Sequence, residues 1–270
     1  MQALVKYHGL RDWKLRLPYH DSISVNTTCM KTEATITDTK KGGVFVNGVA
    51  TESANQRLGA VLQSLAPTRK VASFRIDSTN VPSGRAKGIG YSSSAGAALT
   101  LLCQALFVGG APHMKELSRS ARLFAASASR SLVGGFSRLY AGRTDEATFA
   151  ERFADAKDMD LRMVIVPLPS KVRTEDAHRE VLTSPFFEAR VKSGQRRCDE
   201  MEKAIRGNDL QSLGVLAERD TLELHALTMT GESRMAASWK SGAAKRSIPY
   251  APTFSTSPAR ITLPATGACA

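Results

Sequence analysis

The spacing of apolar and polar positions changes several times along the chain. Ala3-Leu4-Val5-Lys6-Tyr7-His8 reads as a short strand that stops at Gly9, and Asp21-Ser22-Ile23-Ser24-Val25 alternates as a second strand. Val44-Phe45-Val46-Asn47-Gly48-Val49 is a hairpin signal, because Asn-Gly suits the type I′ turn that matches strand twist. Ala54 to Leu65 carries the spacing of an amphipathic helix, and Val71 to Ile76 predicts another strand. A Gly- and Ser-rich stretch from Val81 to Gly96 then opens an apolar helix at Ala97-Ala98-Leu99. Residues 113–140 read as helical with a break at Gly134-Gly135, and Met163-Val164-Ile165-Val166 as a buried strand ending at Pro167. Two further helices, over 186–206 and 209–228, are separated by Gly207-Asn208 as a C-cap and Asp209 as an N-cap. Hairpins and helices without regular alternation predict an α+β chain. The lobe boundary is placed near Pro167, giving lobes of 1–165 and 166–270.

Composition narrows the class. With 270 residues, 42% hydrophobic and 23% charged, the chain can bury one large core or two modest ones. No apolar run approaches the roughly 18 to 20 residues of a membrane span, and Met1 to Lys6 lacks the layout of a signal peptide. A cytoplasmic location without a membrane partner is expected. Cys29, Cys103, Cys198 and Cys269 are scattered, with no C-x-x-C pair and no histidine at ligand spacing, so buried thiols and no protein-held metal are expected. The net charge of +12 is spread along the chain, with no basic run of five and no aromatic-basic interleaving. An anionic small molecule suits that charge better than nucleic acid does.

Three segments could meet such an anion. In the stretch from Val81 to Gly96, small residues admit a phosphate to the backbone, the following helix offers unpaired N–H groups, and Arg85 or Lys87 could add charge. It lacks the G-K-[ST] of a Walker A loop and fails G-x-G-x-x-G at Ser93, so a flexible loop before a core helix is an equal alternative. In Ala125-Ala126-Ser127-Ala128-Ser129-Arg130, Arg130 is either the edge of a tight helix contact or a clamp for carboxylate or phosphate. Lys6, at a strand end, is either a snorkelling edge residue or a buried cation.

Together these segments resemble the diphosphomevalonate decarboxylase family of the GHMP kinase superfamily. Lys6-Tyr7-His8-Gly9-Leu10-Arg11-Asp12 is similar to its K-Y-W-G-K-R-D opening, and Leu17-Pro18-Tyr19-His20-Asp21-Ser22-Ile23-Ser24-Val25 to its L-P-x-N-D-S-x-S-V. Ser92-Ser93-Ser94-Ala95-Gly96 resembles its ATP-phosphate loop, and Ser127-Ala128-Ser129-Arg130-Ser131-Leu132 its S-A-S-R-S-L motif. Thr183-Ser184-Pro185-Phe186 and Ala217-Glu218-Arg219-Asp220 also fit. The resemblance implies a two-lobed GHMP kinase fold and an ATP- and Mg²⁺-dependent enzyme. Such an enzyme phosphorylates the C3 hydroxyl of a phosphorylated mevalonate, then releases phosphate and CO₂. It implies that Lys6 and Arg130 hold the substrate carboxylate and developing charge, and that Tyr7 and Ser127 contact substrate. It implies further that Gly88, Gly90, Ser92, Ser93 and Ser94 cradle the ATP phosphates. A mevalonate-type kinase without decarboxylation is the neighbouring alternative, and a homodimer is a frequent family assembly.

Four departures sharpen that expectation. His8 replaces a Trp and Leu10 a Lys, a pattern closer to the haloarchaeal phosphomevalonate decarboxylase branch. Glu175, in Thr174-Glu175-Asp176-Ala177-His178, stands where the family has an arginine facing the terminal phosphate, which favours mevalonate 5-phosphate over the diphosphate. Ser257, in Phe254-Ser255-Thr256-Ser257, stands where the family carries a catalytic aspartate, and a serine cannot act as that carboxylate does. A shifted frame through Ser257 to Ile261 can encode the family's Thr-Gly-Ala-Asn, so a truncated or frameshifted, inactive product is a further expectation.

Overall fold

The computed structural model describes residues 1–28, 30–39, 42–81, 90–164 and 174–233. Its strands are β1 (Gln2–Val5), β2 (Leu10–Asp12), β3 (Leu17–Pro18), β4 (Ser22–Val25), β5 (Lys31–Asp38), β6 (Gly43–Val46), β7 (Val49–Ala50), β8 (Phe74–Val81), β9 (Phe136–Leu139) and β10 (Ala150–Ala154). Its helices are α1 (Glu52–Leu65), α2 (Tyr91–Cys103), α3 (Met114–Phe124), α4 (Ala128–Val133), α5 (Thr174–Glu180), α6 (Phe187–Arg206) and α7 (Leu210–Thr230). These elements stack as sheet, helices, sheet, helices.

The outer sheet has the order β5-β8-β6-β7, with β6 parallel to β8 and the other pairs antiparallel. The β6–β7 turn is formed as its residues require, with Asn47 at φ 49° and Gly48 at φ 80°. Val71–Ser73 is a 3₁₀ turn, so the strand expected over 71–76 starts at Phe74 and runs to Val81. Strand β5 was not expected: its exposed face is Lys31, Glu33, Thr35 and Thr37, and its inner face, Thr32, Ala34 and Ile36, has little apolar signal.

Helices α1 to α4 fill the next layer around Leu58, Leu62, Leu99, Leu117 and Phe124. Tight packing of α2 on α4 depends on Gly96, where a Cβ would lie 2.7 Å from Phe124 and 2.8 Å from Ala128. With the π-turn that follows it, α2 spans Tyr91–Val108, 18 residues of mean hydropathy 1.3, which meets the length of a minimal membrane span. Of this stretch 39% is buried within the protein, with Ser93, Ala95, Ala97, Leu99 and Cys103 on the face toward the core.

The inner sheet, β1-β4-β9-β10, is antiparallel throughout. Residues 136–139, expected as helix, instead supply β9: Gly134 and Gly135 take φ of 74° and 55°, which ends α4. Pairing with β4 and β10 then outweighs local preference. Beyond this sheet, α6 and α7 form a hairpin whose Cys198, Met201, Ile205 and Leu213 share a core with Leu4, Val5, Ile23, Val25 and Phe136. At the α6–α7 junction the left-handed residue is Asn208 (φ 52°), and the Asp209 carboxylate accepts from the Ser212 N–H at 2.9 Å. Met163 and Val164 lie outside regular structure, and Ile165 and Val166 lie outside the described residues. Cys103 and Cys198 are free and buried, and burial pushes the Cys103 thiol up to about 11.

Candidate active site

The site forms where α4, the inner sheet and the start of α2 meet. Strand β4 is buried on both faces, so its alternation divides chemistry instead of exposure. Ile23 and Val25 face α6 and α7, while the hydroxyls of Ser22 and Ser24 accept from Nη1 and Nε of Arg130. Arg130 is 0% exposed, and its Nη2 has no hydrogen-bond partner among the described residues. No carboxylate pairs with it among the described residues. Burial brings its pKa down to about 10. A guanidinium desolvated in this way costs several kcal/mol unless an anion joins it.

Lys6 follows β1, beyond the strand end, and is partly buried. Its pKa is lowered to about 8, first by burial and then by Arg130, with Asp220 acting the other way. Tyr7 is buried, hydrogen-bonded to Ser127, and 5.5 Å from the Arg130 guanidinium over its ring. Thus Lys6, Tyr7, Ser127 and Arg130 form one cluster, which sequence spacing alone does not reveal.

The phosphate-loop candidates divide. Gly88 lies outside the described residues, together with Arg85 and Lys87. Gly90 sits at φ 81° immediately before α2, where a Cβ would lie 2.5 Å from the Met1 carbonyl oxygen. As a glycine it provides no capping side chain, so the helix start keeps donors for an anion. Ser92 is exposed, whereas Ser93 is buried with its hydroxyl on Ser127, and Ser94 contacts Thr32. Ser93 therefore joins the helix start to the Arg130 cluster. Among the described residues no group of three His, Cys, Asp or Glu is arranged for a metal.

Sequence reasoning passed over several residues that complete the site. Ser22 and Ser24 are among them, and their i, i+2 spacing on a strand is the sequence signal that puts them on one face. His178 of α5 stacks on Tyr7 at 5.3 Å and meets His8 at 4.8 Å, and its Nδ1 accepts the Gly9 N–H at 3.0 Å. Burial lowers its pKa to about 3, so the ring is neutral. Glu175, expected to disfavour a terminal phosphate, is held by Arg57 at 2.7 Å and Arg16 at 3.3 Å. Ser257 lies outside the described residues.

Comparison with known proteins identifies the family of the chain. A family model described as a diphosphomevalonate decarboxylase-like N-terminal domain matches residues 1–150. The phosphomevalonate decarboxylase of Haloferax volcanii is 37% identical over 240 residues, covering 86% of this chain and 72% of that protein. The diphosphomevalonate decarboxylase of Saccharomyces cerevisiae is 27% identical over 251 residues, and the chain spans 63% of its length. A structure of the mevalonate diphosphate decarboxylase of Enterococcus faecalis shares 26% identity at a TM-score of 0.75, covering 92% of this chain and 80% of that one. A further solved complex holding MVAPP, AMPPCP and magnesium gives a TM-score of 0.74 at 25% identity, covering 92% of this chain and 81% of that one. With its motif residues gathered around one buried arginine and the similarity extending over most of its length, the protein belongs to the mevalonate (di)phosphate decarboxylase family of the GHMP kinase superfamily.

Proposed function

We propose that the chain carries out ATP-dependent decarboxylation of mevalonate 5-phosphate to an isopentenyl phosphate, with Mg²⁺. The observation that carries this reading is Arg130: fully buried, held by two serine hydroxyls, and left with an unpartnered Nη2 beside Lys6. A protein retains such a desolvated cation where an anionic ligand completes it. In this role Arg130 and Lys6 bind the substrate carboxylate and offset the charge that develops as it leaves. Tyr7 and Ser127 orient the substrate against them.

ATP, when bound, supplies the phosphoryl group that turns the C3 hydroxyl into a leaving group. The uncapped start of α2 after Gly90 fits its phosphates, with Ser92 exposed to them, and the phosphate oxygens would carry most of the Mg²⁺ coordination. Ser93 links that end to Ser127, so nucleotide and substrate share one hydroxyl contact. Phosphoryl transfer needs positioning and charge stabilisation above all, which these residues provide, while the carboxylate that the family resemblance places at Ser257 is not supplied by that serine.

The monophosphate is favoured for two reasons. Leu10 is buried and brings no charge, and Glu175 engages Arg16 and Arg57, leaving less cationic surface for a second phosphate. The same reading assigns residues 1–165 and 166–270 to two lobes. It also sets the enzyme in the cytoplasm, as a homodimer acting without nucleic acid or membrane. Comparing ADP release with the two substrates tests it: mevalonate 5-phosphate should give at least ~10-fold higher kcat/KM, and a preference for the diphosphate would sink it.

A further inference from the structure

The lysine of the site is held by groups that lie more than 180 residues away in sequence. Asp220 of α7 is 3% exposed, and its Oδ2 accepts the Lys6 backbone N–H at 3.0 Å. Arg190 of α6 is 4% exposed, and its Nη2 donates to the Lys6 carbonyl at 2.9 Å and to Asp220 Oδ1 at 2.7 Å. Arg197 adds a contact to the same Oδ1 at 3.2 Å. Both polar groups of the Lys6 backbone are therefore gripped by one buried ion pair. Lys6 lies just past the end of β1, where no strand pairing would otherwise fix its direction.

We propose that Asp220, closed by Arg190, is a positioning residue for Lys6, by which the α6–α7 hairpin fixes the site lysine and keeps it charged. This rests on the reading of Lys6 as a substrate-facing cation. Two independent features agree. Asp220 lies in the Ala217-Glu218-Arg219-Asp220 segment, to which the substrate chemistry assigns no contact. Around Lys6 stand Arg130 from α4, Arg190 from α6, His178 from α5 and His8 beside it, all cationic or neutral. Among the described residues Asp220 is the anion that acts on Lys6, and it opposes the lowering by burial and Arg130.

The test is NMR titration of the Lys6 ammonium in protein labelled on its lysines, with the signal assigned by its loss in Lys6→Met. In the unaltered chain Lys6 should titrate near the lowered value of about 8. Asp220→Asn should move it down by about one pH unit and weaken mevalonate 5-phosphate binding by ~10-fold. Should Asp220→Asn fail to fold because Arg190 and Arg197 then share only Glu223, the double variant Asp220→Asn/Arg190→Met relieves the excess charge and is read by mevalonate 5-phosphate binding, since loss of a cation offsets loss of the anion in the titration. A folded Asp220→Asn with Lys6 titrating at its original pH, or a folded double variant that binds mevalonate 5-phosphate as the unaltered chain does, would overturn the proposal, because a purely structural ion pair changes melting temperature alone. If the unaltered chain binds no mevalonate 5-phosphate yet the titration still moves, the substrate reading fails while the role of Asp220 stands.

Discussion

At the scale of single residues, the burial of Arg130 makes two opposite demands. Its guanidinium costs the folded chain free energy when no ligand is present, and it returns that cost as selective affinity for an anion. Arg130→Gln should therefore lower kcat/KM by roughly 3 kcal/mol or more, ~10²-fold or greater, while the melting temperature of the ligand-free chain holds or rises. Steady-state rates and thermal unfolding on the same preparations check this, and a large loss of stability would argue that Arg130 is a structural strut. Lys6 makes a pH prediction. Its folded pKa of about 8 lies below the unfolded 10.5, so the free enzyme loses the ammonium as pH rises through 8. The profile of kcat/KM should fall above that pH, whereas that of kcat should fall later, because bound anion favours the charged lysine. Coincident limbs would mean that Lys6 does not meet the substrate. Neither property was legible in the sequence. The motif named Arg130, but its buried partners are Ser22 and Ser24, 108 and 106 residues away, and the grip on Lys6 comes from α6 and α7.

At the scale of elements, small residues set how closely α2 and α4 approach. Gly96 lets α4 approach α2, and this brings Ser93 onto Ser127 and aligns the helix start with the Arg130 cluster. Gly90 acts on the backbone instead. Its left-handed conformation turns the chain into α2 within 2.5 Å, at the Cβ position, of the Met1 carbonyl. Gly90→Ala should therefore cost about 1–2 kcal/mol of stability and raise KM for ATP more than KM for the substrate. Calorimetry and a two-substrate kinetic matrix check it; an unchanged KM for ATP would separate the α2 start from the nucleotide. Here the sequence was more informative. The Asn47-Gly48 turn, α1 and the two long helices follow from local chemistry, because caps and turn residues act over a few positions. Strand β5 and residues 136–139 did not, since their state depends on β8 in one case and on β4 and β10 in the other.

At the scale of the whole molecule, the stacked layers bring chemistry from distant segments to one place. The inner sheet supplies Ser22 and Ser24, the helix layer supplies Ser93, Ser127 and Arg130, and the outer helices hold Lys6. The outer helices share a core with β1, β4 and β9, so this site depends on tertiary packing across most of the described chain. Family resemblance was visible early because motifs survive as short words, whereas the charge balance around Glu175 emerged only with Arg16 and Arg57 in place. The most direct measurement is release of labelled CO₂ from mevalonate 5-phosphate carrying the label in its carboxyl group, with ATP and Mg²⁺ present. The account predicts CO₂ and ADP in equal amounts, abolished by Arg130→Gln. ADP without CO₂, or no turnover with either the monophosphate or the diphosphate, would contradict it.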